Sequence, residues 1–130
     1  MRHWALDVIA CLYDKHYPLE LLVFKHEEED VDVKDITVPY CQTYCGYLKE
    51  EIRKDKEYPC HKCLKLEIVE GLVYCPKCLH WYPIKNGILI MLPDNKRNEK
   101  NDLEFLMKYR DKIPEKILFE GKPYNLSRRN

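Results

Sequence analysis

The chain has no surplus of either charge. Its 130 residues carry 22 Lys and Arg against 22 Asp and Glu, a formal net charge of zero. That balance argues against sequence-independent nucleic-acid binding, which needs an excess of cationic side chains to displace counterions. A local basic face remains compatible with it. The chain also lacks any run of 18 apolar residues, so no membrane-spanning helix is expected. Near the N-terminus the short apolar stretch is interrupted by Asp7, and no small-residue cleavage site follows. No secretory signal is expected, and a cytoplasmic location follows as the expectation. Neither C-x2-C pair sits in a βαβ pattern, which excludes a thioredoxin-like dithiol protein.

Cysteine, by contrast, is plentiful: there are seven. Without signs of secretion they read as thiolates for metal rather than as disulfides, hyperthermophile cytosols being the known exception. A single domain of this length buries only a modest core, so metal staples would help it. Cys75-Pro76-Lys77-Cys78 has knuckle spacing, which points two sulfurs at one tetrahedral ion. Cys11-Leu12-Tyr13-Asp14 has the same form with Asp14 in the second ligand position, and His16 competes with Asp14 for that role. Cys41, Cys45, Cys60 and Cys63 make a further set, C-x3-C-x14-C-x2-C. A rival grouping takes Cys60, Cys63, Cys75 and Cys78 as a zinc ribbon. Seven thiols divide most economically into four plus three, with Asp14 completing the smaller set. The expectation is one or two zinc ions.

Read in order, residues 18–24 alternate as a strand, with Leu19, Leu21 and Val23 on one face and Glu20, Leu22 and Phe24 on the other. Residues 25–37 are charged and read as a solvated connection. From Pro39 on, Tyr44, Tyr47, Leu48 and Ile52 recur at helical spacing, which predicts a helix carrying Cys41 and Cys45 on one face. Residues 66–70 and 72–74 read as two strands turning at Gly71. Trp81 and Tyr82 precede Asn86-Gly87, the strongest short hairpin signal. Ile88 to Leu92 then runs apolar for five residues, the pattern of a strand covered on both faces. A helix capped by Asn101 with Glu104 reaching back is expected next, presenting Leu103, Leu106, Met107 and Arg110 on one face. Pro114 ends it or starts another through Leu118, and the last ten residues read as loosely held.

Two other functions have partial signatures. An RNA-binding zinc ribbon of the translation or transcription apparatus would use the aromatics for stacking, with Arg128 and Arg129 at the rim. The zero net charge and the acidic run Glu27 to Asp30 oppose it. His26-Glu27-Glu28 followed by Pro59-Cys60-His61-Lys62-Cys63 spells a zinc-deaminase signature. Its first half lies in a charged run and strand sequence follows its second half, so the match reads as coincidence.

The segments Leu6 to Leu21 and Ile68 to Pro93 carry a more specific pattern. They combine Cys11, Asp14 and Pro18-Leu19 with Glu70-Gly71, Cys75, Cys78, Tyr82-Pro83-Ile84, Gly87-Ile88 and Met91-Leu92. In this the chain resembles the small zinc-ribbon activator subunit shared by several class I S-adenosylmethionine-dependent methyltransferases of archaea and eukaryotes. The resemblance is close over these two segments and loose elsewhere. It implies an α+β fold: a zinc-ribbon-like small antiparallel sheet from residues 1–24 and 64–95, an inserted helical, cysteine-rich segment over 25–63, and a C-terminal helical tail over 96–130. It pairs Cys11 and Asp14 with Cys75 and Cys78, and makes the strands 18–24 and 66–74 neighbours.

The resemblance also implies a non-catalytic subunit, with no catalytic residues of its own. Its partner would be a methyltransferase acting on tRNA, ribosomal RNA or a translation factor, RNA being touched only at the rim through that partner, and no membrane. The partner-binding residues would be Trp81, Tyr82, Ile84, Ile88, Leu89, Ile90, Met91 and Leu92. Two positions depart from the family pattern. Asp14 stands where many members have cysteine, and Leu89 where proline is usual, which gives that strand one more N–H to donate. The four cysteines of the insertion lie outside the general pattern and read as an archaeal variation.

Overall fold

Alternating apolar side chains on residues 18–24 have to be covered on both faces, and the fold does so. In the computed structural model, which describes residues 1–127, β1 (Glu20–Glu28) pairs antiparallel with β4 (Leu66–Tyr74). Leu22 lies opposite Leu72, and the register slips around Phe24 and Lys25. β5 (Trp81–Lys85) and β6 (Ile88–Leu89) complete a four-stranded antiparallel sheet in the order β1-β4-β5-β6. Leu19, Leu21 and Val23 join Leu6, Cys11, Ile68 and Val73 in one core. Leu22 and Phe24 join Leu72, Trp81, Phe105, Leu106 and Ile117 in the other. The first core is closed by the N-terminal segment, which contains a 3-10 turn at His3–Asp7. The second is closed by α2 (Glu99–Lys108) and α3 (Glu115–Glu120).

The α+β fold and the β1–β4 pairing agree with the expectation, and several local readings are corrected. β1 continues to Glu28, through part of the segment expected to be a loop. Gly71 is not a turn: it sits within one continuous strand, opposite Val23. A Cβ there would lie 2.5 Å from the Leu22 carbonyl oxygen. Backbone cannot yield as a flexible side chain does, so Gly71→Ala is expected to cost about 2 kcal/mol or more in urea denaturation.

The helix expected after Pro39 does not form. Its place is taken by a two-stranded ribbon, β2 (Tyr44–Cys45) and β3 (Glu50–Glu51), and the insertion's helix is one turn, α1 (Cys60–Cys63). The cause is tertiary: Tyr44 is buried in the first core, while Tyr47 and Ile52 pack with Cys45, Tyr58 and Cys60 in a separate cluster, so positions that would share one helix face are drawn to two places. The Asp7 carboxylate accepts the N–H groups of Gln42, Thr43 and Tyr44 at 2.8–2.9 Å. Burial pushes its pKa up, but these N–H groups outweigh that and hold the carboxyl below its ordinary value. Lys49 then adopts φ 58°, which stops the turn after Cys45 and reverses the chain.

The C-terminal segment is packed against the sheet rather than hung from it. Asn98, not Asn101, caps α2: its side chain accepts the Asn101 N–H at 2.9 Å. The inward residues are Asp102, Phe105 and Leu106, while Met107 is 54% exposed. Residues 121–127 are tied down too. Trp81 N–H donates to the Lys122 carbonyl, and the Trp81 indole donates to that of Tyr124. Arg128 and Arg129 lie outside the described residues.

Arg97 joins α2 to β5 within this core. Its Nε donates to Asp102 at 2.9 Å, its Nη1 donates to the Trp81 carbonyl, and its guanidinium lies 4.6 Å over the Trp81 ring. Both charged side chains are under 10% exposed. Arg97→Ala would leave the Asp102 charge buried alone, so a loss of about 3–5 kcal/mol is expected on thermal or urea unfolding. Arg97→Met with Asp102→Leu should recover most of it. A single variant as stable as the parent would contradict this reading.

Candidate metal centre

Two knuckles with the same backbone build the site. In the first, Lys15 N–H donates to the Cys11 carbonyl and Cys11 N–H donates to that of His16. In the second, Leu79 N–H donates to the Cys75 carbonyl and Cys75 N–H to that of His80. Each turn ends on a residue in the left-handed region, Lys15 at φ 61° and Leu79 at φ 66°. The spacing of the first and fourth residues is thus fixed by main chain, and the β1–β4 pairing brings the two turns face to face.

The ligand atoms of Cys11, Asp14, Cys75 and Cys78 all lie within 4.8 Å of one another. Cys11 Sγ is 3.6 Å from Cys78 Sγ, and Cys75 Sγ is 3.4 Å from Asp14 Oδ2. A tetrahedral zinc ion with sulfur at about 2.3 Å and oxygen at about 2.1 Å requires ligand–ligand edges of roughly 3.5–3.8 Å. Three sulfurs and one carboxylate are also a chemically suitable set for that ion. Burial pushes the Cys78 thiol up to about 12, and the adjacent Cys11 and Cys75 add to the rise. Cys75 is raised as well, first by burial. Without a cation these thiols keep their protons; a divalent ion displaces them. Asp14 is already ionised, held down to about 2 chiefly by the His16 N–H, which donates to Oδ1 at 3.0 Å. His16 contributes main chain, and its ring is not in the ligand group.

His80, which cysteine spacing does not single out, borders the site. Its Nδ1 lies 3.2 Å from Cys78 Sγ and its Nε2 lies 3.2 Å from Asp94 Oδ2. Tyr13 stacks on the ring at a centroid distance of 4.1 Å. A histidine held between a ligand sulfur and a carboxylate orients that sulfur and fixes the ring. The signal was available as C-x2-C-x-H. Asp94 also anchors the end of the apolar run, since its N–H donates to the Tyr13 hydroxyl at 2.6 Å.

At the start of that run, Asn86 and Gly87 have φ 51° and 78°, the mirror-image turn expected between β5 and β6. Gly87 N–H donates back to the Val69 carbonyl. The run itself is not covered on both faces. Ile88 is 66% exposed, Leu92 40%, and Leu89, Ile90 and Met91 are only partly buried. β6 pairs with β5 on one side, and among the described residues no strand pairs with its other side. Trp81, Tyr82 and Ile84 are different: each is fully buried, so these three expected partner contacts belong to the chain's own core.

The alternative cysteine grouping and the deaminase pattern are not assembled. Among the described residues, Cys60 and Cys63 do not join Cys75 and Cys78 in a ligand group. They line a separate pocket with Cys41 and Cys45. His26 sits on β1, its Nε2 3.1 Å from that of His3.

The fold has relatives. A chain in the solved structure of the E. cuniculi Mtq2-Trm112 complex, responsible for methylation of the eRF1 translation termination factor, superimposes with a TM-score of 0.53 at 23% identity. The match covers 71% of this chain and 95% of the other. No curated protein sequence matches the chain significantly. The model of the Trm112p-like protein family matches residues 5–87, both knuckles and the β5–β6 turn included. The chain belongs to the Trm112p-like protein family.

Proposed function

We propose that the chain is a non-catalytic subunit that activates an S-adenosylmethionine-dependent methyltransferase, docking through β6 and the apolar run 88–92. The observation that carries this reading is the exposure of that run at the open edge of the sheet. Both faces of the sheet are already occupied by the chain's own cores, so the edge is where a partner's strand has main-chain groups to meet. The apolar side chains add area around those hydrogen bonds. The metal centre supports a structural role: four protein ligands fill a tetrahedral site and leave no position for a reacting water. When bound, zinc would cross-link the two knuckles that hold β5 and β6 in place. The solved relative is itself one half of a methyltransferase complex acting on a translation factor. That relative supports a translation factor as the partner's substrate here, and the family resemblance adds tRNA and ribosomal RNA as the alternatives.

The test is a tagged pull-down washed at high salt, followed by mass spectrometry and reconstitution of each captured enzyme. Methyltransferases recovered in one-to-one amounts, with activity that depends on this chain, are the expected result. Recovery of RNA or ribosomes that wash off with salt, and of no methyltransferase, would replace this function with RNA binding.

A further inference from the structure

The insertion contains a third knuckle that the metal centre does not use. Lys49 N–H donates to the Cys45 carbonyl at 2.7 Å, Lys49 has φ 58°, and Cys45 pairs with Glu50. These are the contacts that Lys15 and His16 make with Cys11, and Leu79 and His80 with Cys75. Leu48 N–H also points at Cys45 Sγ, at 3.4 Å. The position that holds Asp14 and Cys78 in the other two turns is Leu48 here, so this knuckle offers one sulfur alone.

The other three sulfurs are close at hand. Cys60 and Cys63 occupy one helical turn and face the same way. Tyr40 N–H donates to Cys60 Sγ at 3.5 Å, which brings the segment of Cys41 onto that turn. All four cysteines line one small, mostly apolar pocket. The surroundings give the arrangement a reason to exist. The buried core of the insertion is Cys45, Tyr58 and Cys60, and its regular structure is two two-residue strands and one helical turn. A core that small needs a cross-link to hold a fixed shape.

We propose that Cys41, Cys45, Cys60 and Cys63 form a second, four-thiolate zinc site that holds the insertion together, separate from the centre at Cys11, Asp14, Cys75 and Cys78. The sulfurs draw together on binding, since among the described residues they are not gathered as tightly as the first set. The site is closed, with no open coordination position, and so is structural.

The experiment loads the full-length chain with zinc, removes the excess, and counts metal by mass spectrometry. Two ions per chain are expected for the parent and one for Cys60→Ser/Cys63→Ser. A parent with one ion that the double variant retains would overturn the proposal. Because the variant could fail to fold, the parent is also loaded with cadmium-113 and examined by NMR. Two resonances are expected, one from an all-sulfur environment and one from a mixed sulfur–oxygen environment. Absence of the all-sulfur resonance would overturn the proposal equally. Neither measurement involves the methyltransferase, so the docking function can fail while this site stands, and the reverse.

Discussion

Replacing Ile88 and Leu92 together with aspartate is expected to abolish methyltransferase capture while leaving the free chain folded. The two side chains are 66% and 40% exposed, so charging them in the unbound chain should cost within about 0.5 kcal/mol each. In a complex the same positions would become the dry centre of a strand-addition interface. A carboxylate buried there has no partner, and apolar anchors at such positions are worth about 2 kcal/mol each when lost. A loss of at least about a hundredfold in affinity follows, readable by calorimetry or by the fraction of enzyme retained on tagged protein. Met107→Asp supplies the control. Met107 is 54% exposed but lies on α2, which covers a face of the sheet rather than extending its edge, and its replacement should leave binding unchanged. The interface would have to move if the Ile88 and Leu92 variant bound normally, or if the Met107 variant alone failed.

Stripping the metal centre should have the largest effect on the isolated chain. Cys11 and Cys75 are 1% and 0% exposed and lie in the core shared with Leu6, Leu21 and Ile68. With an ion bound, four ligands from chain segments some 60 residues apart are locked into one geometry. With the ion removed, three thiols and an ionised carboxylate face each other without a counter-charge. A strong chelator is therefore expected to lower the unfolding free energy by more than about 4 kcal/mol. For a domain of this size that is a fall in melting temperature of roughly 15 °C. The near-ultraviolet circular dichroism of Trp81 should weaken in parallel, and added zinc should restore both. The Cys60→Ser/Cys63→Ser chain separates the two sites: it should still show the full response to chelation at the first centre. A chelated protein that melts at its original temperature would show that the knuckles are held by packing alone.

What could be read from the residues, and what could not, divides along the range of the forces involved. The Asn86-Gly87 turn and the two faces of residues 19–24 depend on neighbouring residues, and both appear in the fold as expected. The gathering of Asp14 with Cys11, Cys75 and Cys78 was legible only when knuckle spacing was joined to the cysteine count and the family resemblance, since spacing alone left His16 and the Cys60–Cys63 pair in play. Gly71 was misread because its meaning lies in the Leu22 carbonyl, about fifty residues away. The helix predicted after Pro39 fails for the same kind of reason: Tyr44 is claimed by the core built around Leu6 and Ile68, and Tyr47 and Ile52 by the cluster around Tyr58 and Cys60, so no single helix face serves them all. Trp81, Tyr82 and Ile84 looked like the apolar run that follows them. Only the strand order, with β5 inside the sheet and β6 at its edge, separates the buried residues from the exposed ones.

The apolar run is fastened at both ends, by the Asn86-Gly87 turn bonded to Val69 and by Asp94 bonded to Tyr13 and His80. A docking strand that is free at one end must surrender conformational freedom when it pairs, at about 1–2 kcal/mol per residue fixed. Here that freedom is already lost on folding, so little of the binding energy goes into ordering the strand. Association should then proceed as rigid-body docking, at a rate set by diffusion and orientation rather than by a slow folding step. One chain built this way could serve more than one enzyme, because the edge it presents is the same for each.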